Sequence, residues 1–319
     1  MEMEINMNEM SKLIRKDRPN ITNSSIKQYM TNYNMLKSLL HIKDDNLDIF
    51  KDVDSVIETL ETINKITTKK NLITTIIVLL KAKKYSNGYI EKYINKLKLL
   101  NDEYKKKLDN QELTQSQKEL WVDYEVIIEL SNKLLKEVNE FKSNEILDQK
   151  QTRTLMDLVI IRSYIISPAR NAYSDMKIAE EEDDLNDKHN YILLDEYGTP
   201  KQFIFNVFKN VKSLGPRKVN IDSETAKIFK LWLKHNTSGY FLITLRDEPM
   251  SSNYLSQYLS SMFNKYIGKP ISSSMLRHII ISYDLRNTPT IKEKEKTEEE
   301  IKDKYQHSGS MNQLYRKIH

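Results

Sequence analysis

Cysteine is absent from this 319-residue chain. Its absence excludes disulfide scaffolds, thiolate metal sites and catalysis by a cysteine nucleophile. Long apolar runs are absent as well, because the longest, from Leu72 to Leu80, contains two threonines and is too short to span a bilayer. The N-terminus is acidic and lacks the apolar core of a signal peptide. We therefore expect an intracellular protein that is not secreted and does not enter a membrane.

The chain has little net charge of either sign. Lysine and arginine number 50 and aspartate and glutamate 45, which leaves a net charge of +5. The mean hydropathy is −0.62 and the pI about 8.9, as in a soluble and mildly basic protein. Such a balance permits a nucleic-acid partner without demanding one, so the positions of the basic residues matter more than their number. Two clusters stand at the ends of predicted helices, Lys81 to Lys84 and Lys105 to Lys107.

Proline is scarce in the first half, where only Pro19 and Pro168 precede residue 190, and this favours long helices. Apolar residues at steps of three and four, from Ile26 to Leu40, predict the first of them. Thr114 and Gln117 have the spacing of a capping box, which predicts the start of another helix, and this helix carries the apolar residues from Leu120 to Leu134. Further helices are predicted at about 53–65, 71–84 and 88–109.

The second half alternates short apolar or aromatic runs with turn residues. Tyr191 to Leu194, Phe203 to Phe208 and Lys218 to Ile221 predict three strands of a small antiparallel sheet. The polar stretch 136–146 is the best domain boundary, with a new helix beginning near Thr152. The expected fold is mainly α with a small antiparallel β-sheet (α+β), in two domains, 1–142 and 143–319. Helices are predicted to resume at about 222–235, 251–267, 272–284, 293–306 and 309–317.

Three cationic residues are candidates for binding an anion. Arg170 directly follows a long apolar helix and Pro168, although an arginine there can simply pair with a surface acid. Lys209 stands at the end of a predicted strand, where a lysine is most often a solvated turn residue, and Lys212 and Lys218 are rival candidates for the same role. Arg277 lies in an otherwise apolar helix, where its burial is costly without a partner. A buried acid and a phosphate both satisfy that requirement.

His307 and Tyr315 lie close to the C-terminus. A tyrosine is a poor nucleophile at its free pKa of about 10 and needs neighbours that stabilise the charge it attacks. On one continuous helix the two side chains would lie about 12 Å apart along the axis. A break at Gly309 is able to bring them together. Taken alone, both residues are also compatible with ordinary helix packing.

The order of these residues is more specific than any one of them. An arginine, a lysine on a β-turn, the triplet Leu276-Arg277-His278, the pair His307-Ser308 and then Tyr315 resemble the tyrosine recombinase family, which includes phage integrases and the Cre and XerD types. The resemblance covers about 152–319. It extends more loosely to the first half, which resembles a helical DNA-clamping domain. The short end after the tyrosine is most similar to recombinases of large DNA viruses and mobile elements, whose compartment is the cytoplasm, nucleus or virion.

The resemblance implies a role for each residue. Arg170 and Arg277 would hold the non-bridging oxygens of the scissile phosphate, Lys209 would protonate the 5′-oxygen, His307 would hydrogen-bond the phosphate and Tyr315 would attack it. The product is a 3′-phosphotyrosine, formed without metal or cofactor. The implied partners are double-stranded DNA and further copies of the chain, as a dimer on a site and a tetramer at synapsis. The expected DNA-binding residues are Lys81, Lys83, Lys84, Lys105, Lys106, Lys107 and Lys212.

The sequence departs from the family pattern in three places. Ser274 stands where the family often has a histidine, and we count it among the catalytic candidates although a hydroxyl does not titrate near pH 7. Tyr173 replaces a common acid, the nearest being Asp175. Only four residues, Arg316 to His319, follow Tyr315, which argues against an exchange of tails between protomers.

Three other interpretations stay open. A type IB topoisomerase uses the same side chains and acts as a monomer, and a short tail is compatible with it. A non-catalytic DNA-binding protein on a decayed recombinase fold is favoured by Ser274. An unrelated helical protein with a coincidental match is the third.

Overall fold

The computed structural model describes residues 9–43, 46–109 and 113–286. The chain divides into two compact units between Asn110 and Gln111, and each unit has its own hydrophobic core. None of the described helices is long and apolar enough to cross a membrane. His307 and Tyr315 lie outside the described residues, as do the predicted helices at 293–306 and 309–317.

The first unit is helical throughout its described part. Helix α4 is its centre, because most of the run from Leu72 to Leu80 is apolar and buried, and the helix packs against α1, α2 and α5. Asn32 reaches Thr75 across this core, its Nδ2 donating to the threonine hydroxyl at 3.0 Å. The helices are α1 (Glu9–Asp17), α2 (Asn23–Leu39), α3 (Val53–Glu61), α4 (Ile66–Ala82) and α5 (Asn87–Asp109).

The second unit combines helices with one small sheet. The predicted capping box is confirmed, since the Thr114 hydroxyl accepts from the Gln117 N–H and the Gln117 side chain accepts from the Thr114 N–H. The helix it begins is shorter than expected and ends at Leu120. The elements are α6 (Gln115–Leu120), α7 (Tyr124–Phe141), α8 (Gln149–Ile166), β1 (Lys177–Ala179), β2 (Tyr191–Leu194), β3 (Pro200–Phe205), α9 (Val211–Leu214), β4 (Arg217–Asn220), α10 (Ser223–Lys234), α11 (Ser252–Ile267) and α12 (Ser273–Arg286).

The sheet has the strand order β1-β2-β3-β4. The three predicted strands pair antiparallel, with Ile192 opposite Phe203 and Phe203 opposite Val219. The first strand pairs parallel to β2, so the sheet is mixed and the expectation of a purely antiparallel sheet is corrected. Strand β1 has only three residues, too few to show an alternating pattern. The mainly helical α+β class is confirmed.

The division between the units differs from the boundary expected at 142/143. Helix α7 packs on α8 within the core of the second unit. The polar stretch 136–146 is therefore the exposed face of α7 and the turn after it, while Val138 and Phe141 within that stretch are buried. A solvated helix face and a linker have similar compositions, and only the helical spacing of the buried residues distinguishes them.

Candidate active site

The segment 167–173, between α8 and β1, has no regular secondary structure, yet side chains hold its backbone in place. The Tyr164 hydroxyl donates to the carbonyl of Arg170 at 2.6 Å, and the Tyr173 hydroxyl lies 2.6 Å from the carbonyl of Ser167. Both tyrosines are fully buried, and burial raises the pKa of each phenol, so each stays protonated and able to donate. The segment thus presents Arg170 on a rigid support.

Arg277 comes to the same place from another element. Ser272 caps α12, its hydroxyl accepting from the Met275 N–H at 3.2 Å. The Arg277 side chain is 1% exposed, and its Nη1 donates a hydrogen bond to the carbonyl of Pro168. The guanidinium of α12 is therefore fixed directly to the backbone two residues before Arg170.

Lys209 lies on the turn between β3 and α9. Its side chain is exposed and makes no hydrogen bond or ion pair with the described residues. The neighbouring Val207 is also exposed, at 46%. The turn follows the end of strand β3, and because the Lys209 side chain is exposed there, its ammonium is available to a bound molecule.

Arg170, Lys209 and Arg277 line one pocket of about 290 Å³. Among the described residues that line it, three are cationic and none is acidic. Arginine forks and a lysine ammonium are the groups that proteins use to hold phosphate oxygens. The other described lining residues are Asn171, Ala172, Val207, Phe208 and Ser252. The arrangement favours a compact anion such as a phosphate.

Two asparagines that the sequence analysis did not single out connect the walls of this pocket. The Asn171 Nδ2 donates to the Ser256 hydroxyl at 2.7 Å and so joins the Arg170 segment to α11. The Asn190 Nδ2 donates at 2.9 Å to the carbonyls of both Ala172 and Val207. Polar residues in loops have no periodicity, so nothing in the sequence marked them.

Ser274 and Lys212 are not among the described residues lining the pocket. Ser274 is exposed on the first turn of α12, and Lys212 is exposed on α9. Tyr173, at the position of the family's acid, is a buried aromatic packed at 5.1 Å and 5.5 Å, centroid to centroid, against Phe203 and Phe205. It supports the Arg170 segment from the core, and it is not among the described residues that line the pocket.

The predicted DNA-binding lysines of the first unit lie at helix ends. Lys81 is in the last turn of α4, and Lys84 follows it with a left-handed φ of 58°. The described side chains of this set are all exposed, namely Lys81, Lys83, Lys84, Lys105 and Lys106. The Lys107 side chain lies outside the described part. Within the described residues, no group of three histidine or acidic side chains is arranged to hold a metal ion.

No protein-family model and no curated protein matches this chain. Solved structures that are similar to it over nearly the whole length include the following two. One is XerA recombinase, at 12% identity and a TM-score of 0.40, covering 98% of this chain and 94% of the other. The second is the Tn1549 transposon integrase in complex with transposon right-end DNA, at 10% identity and a TM-score of 0.46, covering 97% and 95%. Neither likeness assigns a role to any residue of this chain.

Proposed function

We propose that this chain is a DNA strand transferase of the tyrosine recombinase type, which cleaves and rejoins DNA through a covalent 3′-phosphotyrosine. One observation carries the proposal: Arg170, Lys209 and Arg277, far apart in sequence, line a single pocket whose described lining includes no acid. In this proposal the second unit holds the chemistry and the first unit clamps double-stranded DNA.

The two arginines act on the phosphate. Negative charge grows on the non-bridging oxygens as phosphorus becomes pentacoordinate, and fixed cations at those oxygens lower the barrier. Arg277 is well suited to this, because its side chain is buried and its bond to the Pro168 carbonyl fixes its direction. Arg170 supplies the second guanidinium from its rigid segment. His307 adds a hydrogen bond to the phosphate.

Two bonds to phosphorus change in each step. The Tyr315 hydroxyl gives its proton to solvent and its oxygen forms a bond to phosphorus, while the bond from phosphorus to the 5′-oxygen breaks and Lys209 gives a proton to that oxygen. In the reverse step a 5′-hydroxyl attacks the phosphotyrosine and gives its proton to Lys209, and the released Tyr315 oxygen takes a proton from solvent. The phosphodiester is conserved as an ester to tyrosine, so joining requires no nucleotide hydrolysis.

The basic helix ends of the first unit fit contacts with the DNA backbone. Lysines there neutralise phosphates without reading sequence, and such contacts position a protein on the duplex. We extend the proposal to a dimer on each site and a tetramer at synapsis, since recombination requires four strands to be cut and exchanged.

The proposal is tested with a nicked DNA duplex whose sequence comes from the ends of the genome that encodes the protein. Cleavage releases a short strand that diffuses away. The DNA then cannot be rejoined, and the covalent adduct is trapped. Wild-type protein is expected to become covalently linked to the 3′-phosphate. Tyr315→Phe should form no adduct but bind the DNA within about threefold of wild type, since it loses only a hydroxyl. Tyr305→Phe is the matched control and should retain the adduct.

The mapped position of the link separates related activities. Linkage at one sequence supports a recombinase, whereas scattered linkage with relaxation of a supercoiled plasmid indicates a topoisomerase. An adduct that persists in Tyr315→Phe overturns the assignment of the nucleophile. A wild-type protein that binds DNA but never forms an adduct is a non-catalytic DNA-binding protein.

A further inference from the structure

Asn190 lies behind the pocket, directly before β2, and does not belong to its described lining. Its side chain is buried, with 7% of the residue exposed. The Nδ2 donates to the carbonyls of Ala172 and Val207, both at 2.9 Å. The Oδ1 accepts from the N–H of Asn206 at 2.9 Å and from the N–H of Val207 at 2.7 Å.

These four bonds use the whole capacity of a primary amide. The amide has two N–H donors and one oxygen with two acceptor sites, and each has a partner here. Its orientation is fixed, because turning it over would place oxygen against two carbonyls and nitrogen against two N–H groups. A carboxylate of the same size keeps the two acceptor bonds and loses both donor bonds.

The amide joins the two segments that carry the pocket's cations. Ala172 comes two residues after Arg170, Val207 comes two residues before Lys209, and both line the pocket. We propose that Asn190 is a positioning residue, whose side-chain amide fixes the turn that carries Lys209 against the segment that carries Arg170. The inference rests on the strand-transfer function proposed above.

The two segments depend on Asn190 to different degrees. The Arg170 segment has several other side-chain anchors, from Tyr164, Tyr173, Asn171 and Arg277. Val207, in contrast, gives both its N–H and its carbonyl to Asn190. Loss of the amide therefore loosens mainly the Lys209 turn, and the step that suffers is proton donation to the leaving 5′-oxygen.

Proton donation is measured separately from the rest of catalysis by a change of leaving group. A DNA substrate with a bridging 5′-phosphorothiolate releases a thiolate, which has a much lower pKa than an alkoxide and needs no acid. The test compares single-turnover cleavage of this substrate with that of the ordinary diester by Asn190→Asp. The ratio of the two rates in one preparation cancels the fraction of folded protein.

Asn236 offers a matched control within the same unit. It is a buried asparagine, 3% exposed, whose Nδ2 donates to the Tyr240 carbonyl at 2.7 Å and whose Oδ1 accepts from the Ser238 hydroxyl, also at 2.7 Å. It does not belong to the described pocket lining. Asn236→Asp introduces the same chemical change in another buried amide, away from the proposed site.

We expect Asn190→Asp to cleave the ordinary diester about 10- to 100-fold more slowly than wild type, as in partial loss of a general acid. Its rate on the phosphorothiolate should stay within about threefold, and its DNA affinity likewise. Asn236→Asp should keep the wild-type ratio of rates. Asn190→Ser, which retains one donor, should give an intermediate ratio and replaces the Asp variant if that protein is insoluble.

The outcomes separate this inference from the proposed function. If wild type cleaves both substrates and the Asn190 variants keep its ratio of rates, Asn190 is only structural and the positioning role is overturned. If wild type cleaves neither substrate, the strand-transfer function fails and this inference fails with it.

Discussion

The Arg277 guanidinium donates a hydrogen bond through Nη1 to the carbonyl of Pro168. This bond joins α12 to the segment that carries Arg170, although the two are far apart in the sequence. The position of one guanidinium therefore depends on the backbone beside the other. Because the Arg277 guanidinium and the backbone of Arg170 are already held in place, little reorganisation is needed when charge develops on a bound phosphate.

Arg277→Lys should retain the charge and lose the function. A lysine ammonium is a point charge that lacks the planar fork, so it cannot hold the Pro168 carbonyl and a phosphate oxygen with the same geometry. Cleavage of the nicked duplex should fall by about 100-fold or more. The control is Arg286→Lys, an exposed residue at the end of the same helix. Cleavage by Arg277→Lys within about threefold of wild type would contradict the role.

Lys209→Ala should slow cleavage of an ordinary diester by about 100-fold or more, because the leaving 5′-oxygen loses its acid. The 5′-phosphorothiolate substrate should restore the rate, since a thiolate leaves without a proton. Lys212→Ala tests the rival lysine on α9 and should keep the wild-type ratio of the two rates. A Lys209→Ala protein that stays equally slow on both substrates shows that Lys209 is not the acid.

The basic end of α4 should increase DNA affinity only by neutralising backbone phosphates, without contacts that depend on the base sequence. Replacing Lys81, Lys83 and Lys84 by glutamine should weaken binding to all sequences alike. The slope of log affinity against log salt should become shallower by about 0.9 for each phosphate that the variant no longer neutralises. Fluorescence anisotropy over a series of salt concentrations measures both the affinity and this slope.

The matched control replaces three exposed lysines on and after α7, namely Lys133, Lys136 and Lys142. An equal effect of both triple variants points to general charge and not to a surface at α4.

Local patterns predicted the helices better than they predicted the boundaries between units. The capping box of Thr114 and Gln117 is present as its spacing indicated. Strand β1 was missed because three residues show no periodicity. The boundary at 142/143 followed composition, whereas the burial of Val138 and Phe141 keeps that stretch within the second unit.

The pocket was only partly accessible from sequence. The order of Arg170, Lys209 and Arg277 in the sequence predicted all three as candidate site residues, and they do line one pocket. Their supports are a proline carbonyl and the amide of Asn190, which are long-range polar contacts between loops. No helical or strand spacing encodes such contacts, because each depends on where the chain returns in space. Ser274 illustrates the converse, since it occupies a position of the family pattern but is not among the described residues that line the pocket.

A second pocket in the same unit, of about 260 Å³, contains a buried acid. Asp157 is 1% exposed, and accepts from the Tyr258 hydroxyl at 2.6 Å and the Tyr266 hydroxyl at 2.8 Å. Burial raises the pKa of the Asp157 carboxyl above its usual value of 3.8, while the two tyrosines and then the ammonium of Lys265, 3.7 Å away, oppose the rise. The charged form of this carboxyl is thus disfavoured in the folded protein.

Asp157→Asn should therefore remove a loss of stability that wild type suffers as the pH rises. Between pH 3.8 and the higher folded pKa, the native state binds more protons than the unfolded state, so the free energy of unfolding falls with pH by at most about 1.4 kcal/mol per unit. The stability of the variant relative to wild type should rise through that window and then level off. Urea titrations from about pH 3.5 to about pH 7 measure it through tryptophan fluorescence, because both tryptophans, Trp121 and Trp232, lie in the second unit. Glu248→Gln, which removes an exposed carboxylate, should leave the wild-type dependence in place. A relative stability that is flat or falls with pH would show that the pKa of Asp157 is not raised.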